Sequence, residues 1–333
     1  MSGKPGSGFG FGFGFEIGAD AGSNCKRMLD WRDEIERRVR GQVTRDAPLA
    51  QRTAIRVGGP ADLFVRPADP DDLAGLLRAC RELRVPSLIL GGGTNLLVAD
   101  RGVRGVVLRL PPGFGAEDVR GTRLVLSAGA PTSRLVARAH ERGLVGCEFV
   151  AGIPGTLGGT VAMNAGTRTG EMKDVLREVE IATADGSGWV PAAALELGYR
   201  TARLPPGGVV TRIEVELHGG DVTASAAQMK ADVDHRRATQ PLDRPTFGST
   251  FRNPPGDHAG RLMEAAGLKG HRVGNAAWST VHANFIVNLG GASARDVLAL
   301  VNLARSRVKE GSGITLEPEV RLAGEFLADE GLE

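Results

Sequence analysis

At 333 residues, 41% hydrophobic and 24% charged, the chain is long enough for two or three domains with their own cores, and it is neither disordered nor fibrous in composition. Forty-one Lys and Arg against 39 Asp and Glu leave a net charge of +2, so no global field drives it onto nucleic acid or an anionic membrane, and an anionic ligand must be held locally. Cys25, Cys80 and Cys147 form no CxxC pair and no Cys/His cluster of zinc spacing, so a reducing, cytoplasmic setting without a bound metal is expected.

The first residues, Met1 to about Arg27, alternate Gly and Phe, with Phe9, Phe11, Phe13 and Phe15 in sequence. Glycine at every second position opposes helix and weakens strand, so this stretch reads as a disordered tail with no part in chemistry. It carries no secretory h-region, and no apolar run reaches the roughly 18 residues of a membrane span.

Folded sequence begins near Met28. Asp69-Pro70-Asp71-Asp72 has a cap, a first-turn proline and acids at the positive end of a helix whose apolar stripe is Leu73, Leu76, Leu77, Cys80 and Leu83. Val85 to Leu90, Val106 to Leu110 and Leu124 to Ser127 read as strands, and Pro131 to Glu141 as a helix stopped by Gly143. Strands follow at Val175 to Thr183 and Val209 to Leu217, then helices at Ala224 to Arg237, Asp257 to Ala266 and Ser293 to Glu310. The last of these opens with a Ser293/Asp296 variant of the capping box. Ala283 to Asn288 and Pro318 to Leu322 read as strands. Helices and strands intermix without strict alternation, which favours α+β with several subdomains.

Two glycine-rich segments stand out. Gly91-Gly92-Gly93-Thr94-Asn95 follows a strand directly, and such a turn presents backbone N–H groups that can cradle a pyrophosphate; it also suits a plain tight turn. Neither GxGxxG nor GxxxxGK[ST] occurs, which lowers the standing of a Rossmann dehydrogenase or a P-loop NTPase. Gly152, Gly155, Gly158 and Gly159 lie within Ala151 to Thr160, too dense for a comfortable helix or strand. Close approach to a flat or phosphorylated ligand would use them, and so would a buried crossing of two loops.

Together these segments carry a resemblance. AIRVGGPA at 54–61, LILGGGTNLLVAD at 88–100, AGIPGTLGGTVAMNAG at 151–166, GYR at 198–200, GSTFRNP at 248–254, GLKG at 267–270, HANFIVN at 282–288 and LEPEVRL at 316–322 occur in an order similar to that of the UDP-N-acetylenolpyruvoylglucosamine reductase family. The resemblance implies a vanillyl-alcohol-oxidase-type (PCMH-type) FAD-binding domain of two α/β subdomains at 28–220, split near 112. A C-terminal α+β substrate-binding domain at 221–327 and a tail at 328–333 would follow. It also implies that NADPH reduces the flavin, which then reduces the enolpyruvyl group of a UDP-sugar in peptidoglycan precursor synthesis. A sugar or alcohol oxidase on the same flavin domain is the alternative, and a catalytically dead nucleotide-sugar binder a more distant one.

By matching position, the resemblance implies Arg200, Ser249 and Glu319 as catalytic residues. Hydride addition beside a carboxylate builds negative charge on the α-carbon, which Arg200 would meet; Glu319 would polarise the carboxyl end, and Ser249 would deliver the proton. Flavin contacts are expected from Gly91, Gly92, Gly93, Thr94, Asn95, Gly152, Pro154, Gly155, Gly158, Gly159, Ala162 and Asn164, and substrate contacts from Tyr199, Arg252, Asn253 and His282. Tyr199 is the chain's single tyrosine, so the sequence resembles the branch lacking a tyrosine-bearing loop over the sugar nucleotide; Gln240 or Arg244 stands near the other branch's lysine. Asn275 replaces a usual glycine, a change that left-handed backbone tolerates. Expected partners are small molecules, the UDP-sugar and NADPH, with no nucleic acid and no membrane.

Overall fold

The computed structural model describes residues 30–327, so the Gly/Phe tail and the segment 328–333 lie outside the described residues. Two α/β units and a C-terminal unit are built around three sheets. The first sheet has the order Gln42–Pro48, Pro60–Arg66, Val103–Leu108, Ser87–Ile89; its first pair is antiparallel and the rest are parallel. The second is a five-stranded antiparallel sheet in the order Gly186–Pro191, Leu176–Thr183, Val209–Glu216, Arg123–Ser127, Asp118–Arg120.

Between the two sheets lies helix Pro70–Glu82. Asp69 caps it, accepting from the N–H of Asp72 at 2.9 Å, and Leu73, Leu76, Leu77 and Cys80 are buried. They join Leu63, Val65, Val106 and Leu108 of the first sheet and Val179, Ile181 and Ile213 of the second in one continuous core. A helix at Trp31–Arg38, which the sequence reading did not find, closes the same core through Ile35. The opposite face of the first sheet packs Phe64 and Val107 against Leu49, Leu90 and Val98.

The C-terminal unit centres on helix Ala294–Ser312, which carries the expected Ser293/Asp296 capping box and ends at Gly313 in left-handed backbone. Its N-terminus is also capped from the first unit: Asp100 accepts from the N–H groups of Ala294 and Arg295, at 2.8 and 3.2 Å. A short antiparallel sheet, Arg272–Val273, Ala276–Trp278 and Ile286–Asn288, packs beside it. Asn288, buried in that sheet, donates to the carbonyls of Ile55 and Arg56, and strand Arg321–Ala323 pairs in parallel with Leu96–Val98. The C-terminal unit is therefore sewn to the first unit by backbone as well as by side chains, while helix Val222–Thr239 lies against the second.

Three local expectations are corrected. The strand expected over Ala283 to Asn288 is confined to Ile286–Asn288, because Ser279 Oγ gathers the N–H groups of Val281 and His282, and His282 Nδ1 that of Asn284, into a turn. The strand expected over Pro318 to Leu322 breaks: Glu319 and Val320 both direct their N–H groups at Thr250 O before the chain swings into Arg321–Ala323. At 274–275 the left-handed residue is Gly274, with φ 52°, so Asn275 needs no special tolerance there.

Candidate active site

The two glycine-rich segments cross. A Cβ on Gly92 would lie 2.5 Å from Gly155 Cα, and one on Gly91 would lie 2.7 Å from Thr156 Oγ1. Gly93 and Gly155 have φ of +66° and +121°, backbone that a side chain would strain. Thr94 Oγ1 donates to Pro154 O at 3.3 Å, fastening one loop to the other. A short helix, Leu157–Ala162, begins inside the second segment despite its glycines. Gly158 permits this, because a Cβ there would press at 3.0 Å on Ala128 Cβ where the helix meets a strand end, and Thr156 Oγ1 caps the turn by accepting from Gly159 N–H.

The N–H groups of Leu157 and Gly158 are spent on Ala130 O and Ala128 O, whereas those of Gly91, Gly92, Gly93, Thr94 and Asn95 donate to no described residue. Successive unclaimed N–H groups in a turn make an anion-binding concavity. A diphosphate fits that donor set.

Arg200 stands at the tip of a tight turn closed by the Gly198–Thr201 bridge, in left-handed backbone with φ 58°. A non-glycine residue there is strained, and such strain concentrates at functional sites. Two contacts compensate. Arg200 Nε donates to Glu319 Oε1 at 3.1 Å, and Nη2 donates to Gly166 O at 3.1 Å. Asn164, fully buried with φ 37°, holds the turn by donating to Gly198 O and Glu171 Oε2 while accepting from Lys173 N–H, so its side chain is fully engaged within the protein. Tyr199 is half-exposed, with the Arg200 guanidinium 5.2 Å from its ring centre.

Ser249 and Glu319 lie on neighbouring segments. Residues 249–252 form a ladder with 284–285 on one side and 317–320 on the other, through bridges Ser249–Phe285 and Phe251–Pro318. Glu319 N–H donates to Thr250 O at 2.8 Å, and Arg252 N–H to Glu317 O at 2.9 Å. Asn284, a residue the sequence reading missed, grips this ladder, accepting from Phe251 N–H and donating to Phe251 O, at 2.9 and 2.8 Å. Asn95 Nδ2 donates to Glu319 O at 3.1 Å, so the glycine turn and the Arg200–Glu319 pair adjoin.

Burial pushes the Glu319 carboxyl above its usual range, against the opposing pull of Arg200 and then of Arg252. A carboxyl so perturbed beside an arginine marks a site candidate. Arg252 leaves its buried Nε without a partner among the described residues, a donor available to a ligand. Asn253 instead accepts from Ala259 N–H at the start of helix Ala259–Ala265. The ring of His282 lies 4.8 Å from that of Phe285, and Nδ1 is taken by Asn284 N–H, so these contacts support the ladder. Among the described residues no cluster of His, Cys, Asp or Glu could hold a metal.

A glycine cradle between two α/β units, with Glu319 of the third unit meeting Arg200 of the second at its rim, fits the class of FAD-binding proteins of the PCMH-type fold, and a family model described as an FAD binding domain matches residues 61–189. A second, described as the C-terminal domain of UDP-N-acetylenolpyruvoylglucosamine reductase, matches residues 240–323. A reductase of that name from Anaeromyxobacter sp. (strain Fw109-5) is 73% identical over 301 residues, covering 90% of this chain and 95% of its own; one from Myxococcus xanthus is 55% identical over 290 residues, covering 86% and 94%. The crystal structure of the enzyme from Thermus caldophilus is 41% identical, with a TM-score of 0.73, and the match covers 85% of this chain and 99% of that one. The chain belongs to the UDP-N-acetylenolpyruvoylglucosamine reductase family.

Proposed function

We propose that the protein is an FAD-dependent oxidoreductase that uses NADPH to reduce UDP-N-acetylglucosamine enolpyruvate to UDP-N-acetylmuramate for peptidoglycan synthesis. It would act in the cytoplasm on small molecules alone, at a step on which cell shape and division depend. The observation that carries this reading is the Arg200–Glu319 pair at 3.1 Å, held beside Ser249 by one ladder and tied to the glycine turn through Asn95.

Bound FAD would supply hydride exchange between the nicotinamide and the enol ether. The unclaimed N–H groups of Gly91 to Asn95 suit its diphosphate, and in this reading its rings lie against the segment of Gly152, Pro154, Gly155, Gly159 and Ala162, while Gly158 serves by packing on Ala128. Arg200, locked by Gly166 O and by Glu319, offers a fixed positive charge where the substrate carboxylate gains electron density, and fixed charge needs no reorganisation as the reaction proceeds. Glu319 keeps Arg200 aimed. Ser249 then gives the α-carbon its proton, and the Asn284 clamp holds its segment still. Tyr199 and Arg252 face the UDP-sugar in this reading, while Asn253 and His282 serve through the segments they brace. The domain assignment we favour is a flavin unit at 28–220, divided near 112, and a substrate unit at 221–327.

Anaerobic stopped-flow absorbance tests the reading directly. Mixing with NADPH should bleach a flavin band, and UDP-N-acetylglucosamine enolpyruvate should restore it rapidly. A band that returns only with oxygen would point to an oxidase, and correctly folded protein without a flavin band would sink the assignment.

A further inference from the structure

Several arginines of the first unit are matched with acids: Arg32 and Arg104 with Asp62, Arg38 with Glu34 and Glu82, Arg40 with Asp69, and Arg45 with Asp33 and Glu36. Arg52, Arg66 and Arg109 are different. All three are half-buried, and none makes an ion pair among the described residues. The Nε atoms of Arg66 and Arg109 are buried with no hydrogen-bond partner. Arg109 Nη2 donates to Arg52 O at 3.0 Å, Arg52 Nη1 to Pro48 O at 2.9 Å, and the Arg52 guanidinium lies 4.4 Å from the Phe64 ring centre.

The register explains why these side chains meet. Phe64 pairs with Val107 and Val65 with Leu108 across parallel strands, so Arg66 and Arg109 emerge side by side on the face that carries Phe64 and Val107. Both sit at the carboxyl edge of the parallel strands, where strand Ser87–Ile89 also releases the Gly91 turn, and ligands of open α/β sheets gather outside that edge. The same Arg52 carbonyl that receives Arg109 backs directly onto Gly93. Like charges so placed repel, and buried cations without a counter-charge are costly, so the arrangement calls for an anion. Burial, then the charges of Arg52 and Arg66, hold the Arg109 guanidinium below the ordinary arginine range.

We propose that Arg52, Arg66 and Arg109 form a phosphate-binding site that takes a phosphate group of a bound dinucleotide, behind the Gly91–Asn95 turn. The inference rests on the flavin reading above. Two sources share this chemistry, the diphosphate of FAD and the 2′-phosphate of NADPH. Guanidinium forks suit either, because a planar pair of N–H donors matches two phosphate oxygens.

The test uses purified full-length holoprotein, stripped of flavin and then titrated by fluorescence with FAD and with riboflavin, for the parent and for an Arg66→Met/Arg109→Met double variant. Loss of two charge-assisted contacts should weaken FAD binding by about tenfold to a thousandfold and leave riboflavin binding unchanged, which assigns the site to the diphosphate. If FAD binding holds but the preference for NADPH over NADH collapses by a similar factor, the site belongs to the 2′-phosphate. Inorganic pyrophosphate should raise the melting temperature of the stripped parent and not of the double variant, and Arg66→Lys/Arg109→Lys should recover part of the lost affinity. FAD affinity and coenzyme preference both unchanged in a folded double variant would overturn the site. A parent that binds no FAD would instead overturn the flavin reading.

Discussion

In the function proposed above, the glycine cradle at 91–95 and 151–159 would work through main-chain atoms, whereas the pocket of Arg200, Ser249 and Glu319 would work through side chains delivered by three remote segments. In the cradle a Cβ is an obstruction: Gly92 has no space for one beside Gly155. In the pocket the side chain is the working part, and the surrounding structure exists to aim it, as the bonds of Asn164 to Gly198 O and of Asn284 to Phe251 do. Damage to the first should therefore appear as lost cofactor, and damage to the second as lost turnover with cofactor retained.

The sharpest separation is expected from Ser249→Ala. Flavin content and reduction by NADPH should match the parent, while reoxidation by the enolpyruvyl substrate slows by roughly 10²- to 10⁴-fold in stopped flow. Equal slowing of both half-reactions would remove Ser249 from its assigned role. Glu319→Gln should cost turnover about 10²- to 10³-fold with flavin still bound. Its stability should move the other way. Burial raises the Glu319 carboxyl, so ionisation is a cost to the fold that is fully present above the folded-state value and fades as pH falls toward the ordinary value of 4.5. Thermal melts of the Gln variant should thus exceed the parent at pH 8 and converge with it near pH 4.5; a variant that melts lower at pH 8 would contradict the sign.

Asn284→Ala should be the largest purely structural lesion, since it strands the buried N–H and C=O of Phe251, at about 1–3 kcal/mol for each group left unsatisfied, read by urea unfolding. Gly92→Ala addresses the cradle. It should lower flavin occupancy of the purified protein and destabilise it by about 1–3 kcal/mol, whereas Gly113→Ala, with open space around its added methyl, should do neither. Full flavin occupancy in Gly92→Ala would blur the contrast between main-chain and side-chain sites.

Much of the flavin unit was legible in the sequence because its signals are local. The Asp69 cap, the first-turn proline and the Leu73/Leu76/Leu77 stripe specify a helix within a dozen residues, and the helix is found at Pro70–Glu82. The Ser293/Asp296 box is equally self-contained. The stretch from Pro318 to Leu322 defeated the period-two reading because the N–H groups of Glu319 and Val320 go to Thr250 O, a partner no local pattern reveals. The glycines of 151–159 signalled crowded backbone, and the crossing with 91–95 accounts for them; that Gly158 and Gly159 would also sit in a short helix depended on contact with Ala128. Arg200, Ser249 and Glu319 came from ordered motifs, since as isolated residues they resemble surface polar groups. Asn284 gave no signal apart from its place in HANFIVN, because a buried amide that braces a neighbouring segment looks like any other asparagine until its partners are known.

The parallel pairing of Leu96–Val98 with Arg321–Ala323 also has a meaning in time. Asn95 and Glu319, joined just before that pair, are 224 positions apart. At synthesis rates of about 5–20 residues per second, the strand leaving the Gly91 turn waits roughly 10–45 s for its partner to be made. Until then the turn lacks the neighbour that fixes its exit, so durable flavin capture becomes a late event of biogenesis. Ribosome-bound chains halted before Arg321 should hold FAD weakly even with residues 28–220 fully translated.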